Sequence, residues 1–74
     1  MAYYLLTVQH PDALSYKEAS SAKHHFDAAS LDDAKWQADI IIDNHYNRID
    51  KATMRLFDET GLVATRQGEG AWGA

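Results

Sequence analysis

Apolar residues recur along this chain with two different periods, and the change from one to the other marks out its elements. From Ser30 to Ile49 (SLDDAKWQADIIIDNHYNRI) the period is helical. At about 100° per residue, Leu31, Ala34, Ala38, Ile41, Ile42, His45 and Ile49 share one stripe, as expected of a helix lying on a core. Ser30 is placed to cap the first turn, and Asp33 completes an S-x-x-[DE] capping pattern. Asp32 adds negative charge at the positive end of the helix dipole. Trp36 and Ile40 break the pattern: they fall on the opposite side, beside Asp43 and Asn47, where polar residues belong.

Elsewhere the period is that of a strand. Ala2 to Gln9 (AYYLLTVQ) is aromatic and aliphatic and too short for a core helix, with Tyr4, Leu6 and Val8 alternating with Tyr3, Leu5 and Thr7. Both sides are apolar, which predicts a neighbour on each face. His10-Pro11-Asp12 ends this strand, because proline has no N–H for the ladder. Asp12 to Ala22 reads as a long connection, although a helical turn after Pro11 is compatible with Leu14, Glu18 and Ala19. Lys23 to Ala28 predicts a second strand with His24, Phe26 and Ala28 on one face and His25 and Asp27 on the other. After the helix, Asn47 to Lys51 is a polar exit. Ala52 to Asp58 and Leu62 to Gln67 then predict two more strands, joined through Asp58-Glu59-Thr60-Gly61 by a turn with a bulge. That hairpin sets Phe57 beside Val63, Arg55 beside Thr65, Leu56 beside Ala64 and Met54 near Arg66.

The order strand, strand, helix, strand, strand predicts an α+β fold, with an antiparallel sheet of about four strands and one long helix on one face. Residues 1–67 form a single domain, and 68–74 are a glycine-punctuated tail in which Trp72 needs a place to bury its ring. At 74 residues the core is necessarily small, and a domain of this size often gains stability from an oligomer interface. There is no cysteine, which excludes disulfides, thiolate metal sites and thiol catalysis and suits a reducing cytoplasm. The net charge of −4 opposes attraction to phosphate backbones and anionic lipid. Much of the acid lies between Asp27 and Asp50, against Lys35 and Arg48 alone. No apolar run has the length of about 20 residues that a spanning helix needs, and no export signal is apparent.

Candidate chemistry is sparse. His24 and His25 are adjacent on a strand and point to opposite faces, His45 sits on the helical stripe, and His10 borders a proline turn, so no histidine pair has ligand spacing. Ser15, Ser20, Ser21 and Ser30 lack a nucleophile elbow, and the helix dipole accounts for the Asp32–Asp33 pair. Gly68-Glu69-Gly70 has no lysine after it and carries an acid where phosphate would sit. The expectation is a protein with no catalytic residue, metal or cofactor. Apolar surplus points instead to association, as a homodimer or with another protein, through Trp36 and Ile40 on the helix, Tyr3, Leu5, Phe57 and Val63 on the sheet, and Trp72 in the tail. The alternative is a small regulator that binds single-stranded nucleic acid on the sheet, stacking bases on Tyr3 and Phe57 and meeting phosphates with Lys51, Arg55 and Arg66.

Overall fold

The computed structural model describes residues 2–9, 21–46 and 49–73. Strands β1 (Ala2–Gln9) and β2 (Ser21–Ala28) precede helix α1 (Leu31–His45), and β3 (Thr53–Asp58) and β4 (Gly61–Gln67) follow it. The four strands form one sheet in the order β2-β1-β3-β4, each neighbour antiparallel to the next. The fold is α+β, with one helix on a four-stranded antiparallel sheet. Because β2 and β3 both run antiparallel to β1, they point the same way, and α1 carries the chain between them across the strand that separates them.

Alternation along β1 builds the core. Tyr4, Leu6 and Val8 are buried beneath α1, together with Met54 and Leu56 of β3, Ala28 of β2 and Ala64 of β4. The helix contributes Ala34, Ala38 and Ile42, and Ile49 and Ala52 close the end of the core. Alanines at 28, 34, 38, 52 and 64 leave little side-chain bulk between the layers, and Leu6, Ile42, Met54, Leu56 and Val8 are the largest fully buried side chains. Ser30 caps α1 as expected: its hydroxyl accepts from the Asp33 N–H at 3.2 Å, while Asp33 Oδ2 accepts from the Ala29 N–H at 3.0 Å.

Four expectations need correction. The helix ends at His45, four residues short of Ile49, because Tyr46 takes an extended conformation (φ −131°, ψ 136°). Its ring there meets His24 of β2. His45 is exposed rather than part of the core stripe, for it occupies the last helical position, where its ring also meets that of His24. Strand β2 begins at Ser21 instead of Lys23, since its pairing with β1 extends to Gln9↔Ser21. The hairpin keeps Leu56↔Ala64, Arg55↔Thr65 and Met54↔Arg66, but Phe57 pairs with Leu62, not Val63. A bulge beyond Leu56↔Ala64 makes Val63 the extra residue and seats it against the core. The predicted connection and helical turn between Pro11 and Ser20 lie outside the described residues.

Candidate interaction surfaces

Helix α1 covers one face of the sheet, and the described residues place nothing over the other. Register fixes what that open face carries, because residues paired across neighbouring strands project to the same side. One row runs Leu62–Phe57–Leu5–His25 across all four strands, with Tyr3 beside it opposite Asp27. The next row is Thr65–Arg55–Thr7–Lys23, and beyond it lie Gln67, Thr53 and Gln9. The face is thus divided into an apolar half and a polar half. Tyr3 is 46% and Leu62 53% exposed, while Leu5 and Phe57 between them are half-buried. Tyr3 and His25 stack with ring centroids 5.5 Å apart, and the Tyr3 hydroxyl is hydrogen-bonded to His25 Nδ1. In the polar half, Arg55 Nη1 donates to Gln9 Oε1 at 3.3 Å and Thr53 Oγ1 to Gln67 Oε1 at 3.1 Å.

A second apolar patch lies on the far side of the molecule. Trp36 is 64% and Ile40 40% exposed on the outer side of α1. The tail turns back onto the same chain but does not cover them. Gly73 exchanges both backbone hydrogen bonds with Thr65 at 2.8 Å, and the half-buried Trp72 packs against the core. Its indole Nε1 donates to Asp39 Oδ1 at 2.8 Å, and Arg66 Nη1 donates to the same oxygen at 2.6 Å. This anchor spans the helix, β4 and the tail, and it gives Trp72 an intramolecular role.

Of the sheet residues expected to associate, Tyr3, Leu5 and Phe57 share the open face and Val63 does not. Leu62 takes its place, a residue the sequence pattern missed because strict alternation has no room for the bulge. Of the cations considered for nucleic acid, Arg55 is on the open face, Arg66 is turned toward the helix and paired with Asp39, and Lys51 lies in the turn after α1. Lys23, not singled out by composition, joins Arg55 in the polar row.

A third cluster forms at the rim, where the C-terminal end of α1 meets β2. His24 Nε2 is hydrogen-bonded to the Tyr46 hydroxyl at 2.7 Å, and the His24 ring lies 5.4 Å from that of His45. Burial holds the His24 imidazole below its usual pKa, and the neighbouring His45 acts in the same direction. Burial raises the Tyr46 phenol. Among the described residues no group of three or more His, Cys, Asp or Glu has the arrangement of a metal site, and no helix is long and apolar enough to cross a membrane. Comparison with known proteins finds no matching family, no similar curated protein and no similar solved structure.

Proposed function

We propose that this protein is a non-enzymatic, cytoplasmic interaction module that works as a homo-oligomer, with the apolar half of the open sheet face as its contact surface. The observation that carries the reading is the row Leu62–Phe57–Leu5 with Tyr3 at its side, on the face that α1 leaves uncovered. Aromatic and aliphatic side chains framed by polar ones are the usual anatomy of a contact patch. A sheet of this size with one face that no other described element covers also has stability to gain from a partner. The absence of cysteine supports the reducing compartment.

Sedimentation of the full chain tests the proposal. Leu62→Glu places a charge in the row at a largely exposed position, so the fold tolerates it while the contact does not. The wild type should sediment as an oligomer, and Leu62→Glu should shift it toward monomer by about tenfold or more in dissociation constant. A wild type that stays monomeric at high concentration overturns the reading.

The second reading, single-stranded nucleic acid on the same face, is favoured by Arg55 and Lys23 lying one row from Tyr3 and Phe57. It requires saturable binding of a labelled oligonucleotide that weakens steeply with salt and is lost in Arg55→Ala. Net charge and the short supply of cations on that face place it second.

A further inference from the structure

The sheet has two edges, and they are not alike. In an antiparallel ladder the N–H and C=O of one residue point to the same neighbour, and successive residues alternate. Thr65 exchanges both of its bonds with Gly73, so Thr65 points out of the sheet and the pair Met54↔Arg66 exchanges bonds within it. Carried inward, Arg55 then points to Thr7, and Leu6 points to His24. Lys23, His25 and Asp27 of β2 are left with their backbone groups facing away from β1. An independent contact agrees: the Asp27 carbonyl accepts from Gln37 Nε2 of the helix at 3.2 Å. The tail therefore closes the β4 edge at Thr65, while on β2, the last strand on its side, the backbone groups of Lys23 and His25 point outward and meet no other described strand.

An open edge of this length is a template for another strand, and lysine on an edge normally discourages pairing. Here the lysine has a counterpart. Lys23 and Asp27 are equally distant from His25, on the same face, and both are exposed. The ion pair found among the described residues is Arg66–Asp39, so neither Lys23 nor Asp27 forms one with another described residue. When two copies of β2 pair antiparallel about His25, each Lys23 lies opposite Asp27 of the other copy, and the outward backbone groups meet in register. Centring the pair on Lys23 or on Asp27 instead brings like charges together, which is unfavourable. Centring it on Phe26 sets Lys23 opposite Ala29, whose N–H is already taken by Asp33. In the favoured register the Asp27 carbonyl shares its two lone pairs between Gln37 and the second strand.

We infer that the β2 edge pairs with β2 of a second copy about His25, joining two sheets into one continuous sheet held in register by reciprocal Lys23–Asp27 pairs. The inference rests on the reading of the module as a homo-oligomer and names a contact separate from the open face. The two-fold axis of such a pair is perpendicular to the sheet, so both helices lie on one side and both open faces on the other. The rows Leu62–Phe57–Leu5–His25 of the two copies become one row, doubling the apolar surface offered to whatever docks there.

Charge exchange on the full chain tests this. Lys23→Asp and Asp27→Lys should each weaken the dimer by about tenfold or more, measured by sedimentation at low salt. The double variant K23D/D27K, which reverses both charges and restores the pairing, should return the dissociation constant close to that of the wild type. Hydrogen exchange supplies a second readout: the outward amides of Lys23 and His25 should become protected as concentration rises through the dissociation constant. A dimer that ignores all three charge variants yet is lost in Leu62→Glu overturns the edge inference and leaves the open-face reading standing. Loss in both single variants with recovery in the double, and indifference to Leu62→Glu, supports the edge and removes the open face as the self-contact. A wild type that is monomeric throughout overturns both.

Discussion

His24 is the residue at which the solution pH reaches the fold. Its imidazole sits at the rim between β2 and the end of α1, hydrogen-bonded to Tyr46 and beside the His45 ring. Burial and the neighbouring histidine both disfavour its protonation, so its pKa in the folded chain lies below the usual 6.5. The unfolded chain therefore takes up a proton before the folded one does. Stability from this group is complete above the unfolded value and falls as pH drops through 6.5 toward the folded pKa, below which no more is lost. His24→Gln keeps an oxygen that can accept from the Tyr46 hydroxyl but removes the titration. Between about pH 7.5 and about pH 5.5, above the ordinary carboxylate range, the melting temperature of the wild type should fall more than that of the variant. Parallel falls would show that His24 is not the group responsible. Asp58 loses stability in the same direction but at lower pH, since its hydrogen bonds from the Thr60 hydroxyl and N–H hold its carboxyl below the usual range. Its contribution to the β3–β4 turn persists until lower pH.

At the scale of the element, the tail behaves as an extension of β4, and Gly68 is the point on which this depends. Gly68 has φ +55°, and a Cβ added there would lie 2.6 Å from the Asp50 carbonyl oxygen, a backbone atom that cannot move aside cheaply. Its N–H donates to the Ala52 carbonyl at 2.8 Å and its own carbonyl accepts from Arg66 Nε at 3.0 Å. Gly68→Ala should therefore cost more than about 1 kcal/mol in denaturant unfolding. Gly73→Ala meets no atom within 4 Å and should stay within about 0.5 kcal/mol of the wild type. Equal costs at the two positions would refute the account of the tail. The order of the elements was legible in the sequence, because the periods of 2 and 3.6 are separated by clear punctuation at Ser30 and at Asp58 to Gly61. The alanines and isoleucines of the stripe also identified the buried side of α1 down to Ile42. What was hidden depends on contacts between distant segments: the bulge that turns Val63 inward and Leu62 outward, the meeting of His24 with His45 and Tyr46, and the capture of Trp72 by Asp39. The glycines of the tail punctuate it, and Trp72 alone signals that it needs a place to pack. Their use in turning the chain back beneath Asp50 appears only when Asp50 is in place.

At the scale of the whole molecule, the described residues leave apolar surface on two opposite sides, the row on the open sheet face and the pair Trp36 and Ile40 on the outside of α1. The two differ in kind. Trp36 and Ile40 stand among the acidic residues of the helix, whereas Leu62, Phe57 and Leu5 are contiguous across neighbouring strands and continue into the open edge at His25. A contiguous row is the better candidate for burial against a second copy, because one contact can desolvate all of it together. Mass action then makes stability depend on protein concentration. Concentrating a partner to a hundredfold above its dissociation constant is worth up to about 2.7 kcal/mol. Each kcal/mol moves the midpoint of a domain this size by about 4 to 8 °C. The melting temperature of the wild type should accordingly climb by up to about 10 to 20 °C over that range. Leu62→Glu should match the wild type when dilute, because its side chain is largely exposed and the core does not depend on it. It should then climb less than the wild type as concentration rises, keeping only what the separate β2 edge contact contributes. Leu56→Ala gives the contrast: it empties a fully buried position and should lower stability by about 2 to 5 kcal/mol at every concentration. A wild-type midpoint that does not move with concentration would show that the open row is not buried by a second copy.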